Sequence, residues 1–151
     1  MFPGAHLDTM ADKPAVIMTS GFTQTYAELD AAANRLSHLL RGAGFQPGDH
    51  IAICMENHDR YLEVVWGCHY AGLVYTCASS RLTSHELEYI INDCGAKGYI
   101  TSKYKADQAA EVISTTIPCR EDATANVAAP MPAIVAAGED IVAMRPMPRP
   151  D

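Results

Sequence analysis

"RLTSHELEYIINDCGAKGYIT", residues 81–101, holds a helix start, a helix, a stop and a strand in one unbroken run. Thr83 and Glu86 have the spacing of a capping box. The Thr hydroxyl accepts a hydrogen bond from a first-turn N–H, and the Glu carboxylate reaches back to the N–H of the cap. Leu82 and Leu87 stand where a hydrophobic staple places them, before the cap and in the first turn. Leu87, Ile90, Ile91 and Cys94 recur at helical spacing and form the buried face. Gly95 closes the helix. "GYIT", residues 98–101, then reads as a strand.

The same alternation extends outward. Upstream, "LVYTCA" at 73–78 and "HIAICM" at 50–55 are β-rich runs, the second a buried strand. Between them the spacing predicts a helix over about 58–71, capped by Asn57 and ended by Gly72, with Tyr61, Val64, Val65 and Cys68 on its apolar face. "PGD" at 47–49 is a turn. In "TYAELDAAANRLSHLLRGAG", Thr25 and Glu28 repeat the capping box, and Leu29, Ala33, Leu36 and Leu40 form one apolar face. Gly42 and Gly44 supply its stop. "AVIM" at 15–18 is a short first strand, and "KADQAAEVIS" at 105–114 a last helix. The order βαβαβαβα with right-handed crossovers predicts an α/β fold, a mostly parallel sheet flanked by helices.

Composition divides the chain. All eleven aromatic residues lie between Phe2 and Tyr104, and six of the nine prolines lie from Pro118 onward. Residues 1–117 are therefore expected to form a folded body, and 118–151 a Pro/Ala-rich tail that is disordered or poorly structured, with at most a short helix at 133–137. Eleven basic against eighteen acidic residues leave a net charge of −7 and no basic footprint for nucleic acid. The longest uncharged run, Val64–Ser80, contains His69 and two glycines and reads as a helix end plus strand, not a membrane span. The N-terminus has no secretory-signal pattern. Five cysteines, none spaced C-x-x-C, fit a reducing, cytoplasmic setting, the first four as small buried hydrophobes.

Catalytic motifs are scarce. "GAGFQP" at 42–47 follows a helix and precedes a strand, the reverse of a dinucleotide fingerprint, so it reads as stop plus turn. No G-x-x-x-x-G-K-[ST] loop, G-x-S-x-G elbow or H-E-x-x-H string occurs. The six histidines lack metal spacing, and His38 and His69 read as surface or boundary positions on helices. Cys119 is flanked by Arg120 but also by Glu121 and Asp122, a poor setting for a thiolate nucleophile. Ser79, Ser80 and Arg81 follow a parallel strand at its C-terminal end, where α/β sheets bind ligands. An Arg there can hold a phosphate bidentately, or simply meet solvent or a helix neighbour.

Taken in order, "TYAELDAAANRL" (25–36), "AGFQPGDHIAI" (43–53), "EN" (56–57), "YAG" (70–72) and the opening stretch resemble the beginning of the acyl-adenylate-forming enzymes, with the flavour of fatty-acyl-CoA ligases. The resemblance spans roughly residues 12–114. It implies an incomplete N-terminal subdomain of that fold. It also implies a reaction in which a carboxylic acid joins ATP to give an acyl-adenylate and pyrophosphate, a thiol such as CoA then displaces AMP, and Mg²⁺ screens the phosphates. Of the family's binding residues, only one carries over: Arg81 matches the Arg of an R-L-T string near which CoA phosphates are held. The family often has N-P before this Arg, where this chain has Ser79-Ser80. The Ser/Thr/Gly-rich phosphate loop with its Lys, the ribose-binding Asp and the C-terminal catalytic Lys have no counterpart in residues 102–151.

The expectation is a truncated fatty-acyl-CoA ligase, inactive as this chain alone, with no catalytic residue, no metal site and no cofactor of its own. ATP, CoA and Mg²⁺ belong to the full-length family. Two alternatives stand beside it. The chain is an interaction module that docks on, or completes, a separate ligase segment or homologous ligase. Or it is a small stand-alone nucleotide-binding α/β protein.

Overall fold

The computed structural model describes residues 2–116, 134–135 and 141–144. A 3₁₀ turn, Pro3–His6, leads into α1 (Leu7–Met10). There follow β1 (Pro14–Ile17), β2 (Thr23–Thr25), α2 (Tyr26–Gly42), β3 (His50–Cys54), α3 (Tyr61–Tyr70), β4 (Val74–Ala78) and α4 (Ser84–Asp93). After β5 (Gly98–Ser102) a second 3₁₀ turn, Lys103–Lys105, opens α5 (Ala106–Thr116), with β6 (Ile134–Val135) and β7 (Ile141–Met144) last. The chain forms two compact units: Met1–Asp49 with Asn57–Val74, and His50–Glu56 with Tyr75–Asp151.

In the first unit β1 and β2 pair antiparallel, in register from Pro14↔Thr25 to Ile17↔Thr23, with an irregularity between Pro14 and Val16. This corrects the expectation that the first strand joins the parallel sheet. Thr23–Thr25 is too short to show a period, so its pairing comes from the tight turn at Gly21, whose φ of 91° suits glycine. The capping box of α2 is formed, with Thr25 N donating to Glu28 Oε2 at 2.8 Å and Glu28 N to Thr25 Oγ1 at 3.2 Å. Leu29, Ala33, Leu36 and Leu40 are buried as the spacing predicts.

The face of α3 is rotated from the one expected. It begins at Tyr61, its N-cap is Arg60 without a side-chain cap, and Asn57 plays no capping part. Its buried residues are Glu63, Val64, Gly67 and Cys68, while Tyr61 and Val65 are half-buried. Gly67 allows the close approach of α2. A Cβ there would stand 2.7–2.8 Å from three Leu36 side-chain carbons. Glu63 is buried because its charge is matched: Arg60 Nη1 lies 2.9 and 3.1 Å from its two oxygens, and Gln24 Nε2 donates to Oε1. The N-terminal turn is tied down by Tyr70, whose hydroxyl donates to Asp30 Oδ1 (2.6 Å) and accepts from Gly4 N (3.2 Å). Burial first, and then the bond to Asp30, push the Tyr70 hydroxyl up to about 12.

In the second unit the strand order is β4-β3-β5-β7-β6. β3 and β5 are parallel, from Ile51↔Gly98 to Cys54↔Thr101. β4 runs the same way as β3, since His50 meets Thr76 (2.7 Å) near one end and the Cys54 thiol meets Ser79 O (3.7 Å) at the other. The parallel α/β core is therefore as expected. Beyond it, β7 and β6 add antiparallel strands. Ile134–Val135 is strand, not the short helix expected at 133–137. Most of the expected tail, Cys119 included, lies outside the described residues.

One face of this sheet packs on α4 and α5. Ala52, Cys54 and Tyr99 meet Leu87 and Ile91 of α4 and Ala109 and Val112 of α5, with Leu82 against the cluster. Leu87 is fully buried, worth about 1.5–3 kcal/mol in area removed from water. Cys54 behaves as a small core hydrophobe, its thiol pushed up chiefly by burial. Cys77, expected to be buried, is exposed on β4, the edge strand of this sheet.

Candidate functional site

The C-terminal ends of β4, β3 and β5 lie side by side because the three strands are parallel neighbours. Crossover topology makes this end the usual ligand end of an α/β sheet. Arg81 stands there, past β4. Its turn is held by Ser79 twice over: Leu82 N donates to Ser79 O (3.2 Å) and Arg81 N to Ser79 Oγ (3.3 Å). The Ser79 hydroxyl thus holds the turn at which the family often carries a proline. Immediately after it, the expected capping box is present: Thr83 N to Glu86 Oε2 at 2.8 Å and Glu86 N to Thr83 Oγ1 at 3.4 Å. These bonds, the one from the Thr83 backbone foremost, hold the Glu86 carboxyl below its usual range. The Arg81 side chain is exposed and forms no ion pair among the described residues.

Two further loops join this end. Past β3, Glu56 accepts from Ser102 Oγ at 2.6 Å. Thr101 Oγ1 donates to Cys54 O at 2.8 Å, stitching β5 to β3. Past β5 comes the turn Lys103–Lys105, with Tyr104 82% exposed and the Lys105 ammonium 5.9 Å from its ring centroid. Gln108 Nε2 donates to Leu82 O at 2.7 Å, and Ser84 Oγ to Glu111 Oε2 at 2.6 Å. The first bond brings the start of α5 against the loop that carries Arg81, and the second ties the middle of α5 to the first residue of α4. Sequence inspection singled out Arg81 but passed over Lys103, Tyr104 and Lys105. Their signal was position alone, directly after a strand of the parallel set.

This end carries donors for an anion. The Cys54 thiol there is buried, and burial pushes it above its ordinary range, so it makes a poor nucleophile. Among the described residues no group of three His, Cys, Asp or Glu side chains converges on a metal site, and no helix is long and apolar enough to cross a membrane. Two depressions in the first unit, about 310 and 430 Å³, are lined respectively by Gln24, Arg35 and Arg60, and by Asp30, His38 and Tyr70, among others.

A sequence profile described as AMP-binding enzyme matches residues 5–145. The chain belongs to the AMP-binding enzyme family. The match runs past the stretch of residues 12–114 on which the resemblance rests. Among relatives, a fatty acid–[acyl-carrier-protein] ligase of Streptomyces coeruleorubidus is 37% identical over 84 residues, 56% of this chain and 16% of that protein. A feruloyl-CoA synthase of an Amycolatopsis species is 36% identical over 101 residues, 67% of this chain and 21% of its own. Among solved structures, a benzoate CoA ligase from Burkholderia xenovorans superposes with a TM-score of 0.70 at 26% identity, over 75% of this chain and 23% of that one. ATP-bound MatB from Rhodopseudomonas palustris gives 0.64 at 30%, over 76% and 23%. The chain spans about a fifth of the length of the curated relatives it matches.

Proposed function

We propose that this chain supplies the N-terminal scaffold of an acid–thiol ligase and performs neither half-reaction by itself. In the reaction that the family resemblance implies, a carboxylate joins ATP with loss of pyrophosphate, and a thiol then displaces AMP. Charge developing on the phosphates needs preorganised donors. The observation that carries the reading is the pairing of a family match over residues 5–145 with the lack of any Ser/Thr/Gly-rich phosphate loop in residues 102–151. A fatty acid is the acyl substrate we favour, because relatives include a fatty acid–[acyl-carrier-protein] ligase and the long-chain-fatty-acid–CoA ligase FadD13 of Mycobacterium tuberculosis.

Arg81 is the residue we assign to CoA. Its guanidinium is exposed, without an ion-pair partner among the described residues, and its backbone is fixed by Ser79. CoA supplies the attacking thiol; Arg81 would hold a phosphate at the far end of the molecule. The free thiols of Cys54, Cys77 and Cys94 support a reducing, cytoplasmic setting.

The purified chain is expected to show no ATP–pyrophosphate exchange and no thioester formation with a fatty acid. Pyrophosphate release by chain free of contaminating ligase would end this reading. A second reading, an interaction module, is favoured by the position of β4 at the edge of its sheet with Cys77 exposed. Mixing the chain with the remaining segment of a related ligase tests it. Restored acyl-CoA formation and co-elution support docking, and neither appearing counts against it.

A further inference from the structure

We propose that the depression of about 310 Å³ lined by β2, α2 and the start of α3 binds a free α-amino acid as its zwitterion. The site lies wholly within the first unit, and it depends neither on the assignment of Arg81 nor on the ligase reading.

An orphaned acceptor marks the site. Gln24, from β2, is 5% exposed, and its Nε2 donates to Glu63 Oε1. That bond fixes which way the amide faces, since only the NH₂ group can donate to a carboxylate. The amide oxygen is left buried, without a hydrogen-bond partner among the described residues. Folded proteins rarely leave such an oxygen unmet, because its lost hydration goes unreplaced. Its counterpart is a donor that arrives from outside.

The groups around it have capacity left over. Glu28, Ala31 and Arg35 stand at i, i+3 and i+7 on one face of α2. Glu28 accepts its capping-box bonds at Oε2, which leaves Oε1 for a further donor. Arg60 gives only Nη1 to Glu63, and Arg35 forms no ion pair among the described residues. The two arginines balance the two glutamates, so the lining as a whole favours neither a simple cation nor a simple anion. A zwitterion meets both signs. Its ammonium donates to the Gln24 amide oxygen and the Glu28 carboxylate, and its own carboxylate accepts from Arg35 and the spare nitrogens of Arg60. Phe22 adds apolar surface for a side chain, and the volume suits a small ligand.

NMR titration of the full, isotope-labelled 151-residue chain, read at the side-chain amide of Gln24, tests the site. L-Leucine is the probe. Isocaproate, which lacks the amine, and isoamylamine, which lacks the carboxylate, are the comparators. Millimolar leucine should shift the Gln24 amide resonances, and each comparator should bind about tenfold more weakly. Arg35→Ala leaves the buried Glu63 pair intact and should weaken leucine about tenfold, while Lys103→Ala, in the second unit, should not. Both positions are exposed, and unchanged far-UV circular dichroism would show that the variants fold. Gln24 resonances unmoved by leucine overturn the site and leave its amide oxygen to a water. Either comparator binding as tightly as leucine overturns the zwitterion class, and so does full affinity in Arg35→Ala. None of these readings uses ATP, CoA or a fatty acid, so failure here leaves the ligase reading standing, and failure of that reading leaves this site standing.

Discussion

The first unit buries a charge, while the second, among its described residues, buries none and packs an apolar interior. Glu63 is 4% exposed and survives there because Arg60 and Gln24 both donate to it. In the second unit Leu87, Ile91, Ala109 and Val112 cover Ala52, Cys54 and Tyr99, and Arg81, Lys103 and Lys105 stand clear of that core. The contrast separates two tasks. A matched buried charge specifies how β2 meets α3, since no apolar contact has its directionality. An apolar interior leaves cations free for a ligand.

The contrast can be broken by substitution. Leu87→Ala should cost about 4 kcal/mol, by lost transfer energy and the cavity left behind. In hydrogen exchange the loss should concentrate in β3, β5 and α4; equal loss across both units would erase the distinction. Arg60→Ala should cost about 3 kcal/mol, because it strands a buried carboxylate. Urea unfolding followed by Trp66 fluorescence, a reporter on α3, reads this change, and a cost below 1 kcal/mol would show that the pair is not needed. Gly67→Ala should cost about 2 kcal/mol by forcing Leu36 aside, read by the same probe. Thr25→Ala and Thr83→Ala should each cost about 1 kcal/mol, one per unit, in the same denaturation experiments.

The smallest effect is acidification. Glu28 and Glu86 are both held below the ordinary carboxyl value of 4.5, chiefly by the backbone bonds from Thr25 and Thr83. A lowered folded value means that each box contributes fully above pH 4.5 and loses its contribution as pH falls through the folded value. Melting scans between pH 6 and pH 3, compared with Thr25→Ala and Thr83→Ala, should show less acid dependence in the variants.

Much of the second unit was legible residue by residue. The Thr83–Glu86 box, the Leu82–Leu87 staple, the Gly95 stop and the strand after it are local signals, and each is present. Arg81 was legible as a candidate because strand order alone puts it at the ligand end of the sheet. Lys103, Tyr104 and Lys105 were not, since nothing local separates "KYK" after a strand from any solvated turn.

The sequence by itself determined helices α2, α4 and α5, the capping boxes of α2 and α4, the strands at 50–54 and 98–101 and the family. All of these follow from period, capping chemistry and motif order within short windows. Only the tertiary structure decided that Thr23–Thr25 pairs with β1, that α3 turns Glu63 and Gly67 inward, and that α5 brings its leading turn to Arg81. Each depends on partners far along the chain: a carboxylate is buried only where cations and amides meet it, and a glycine packs only where a neighbour comes close. Hydrophobic periodicity carries no signal for either.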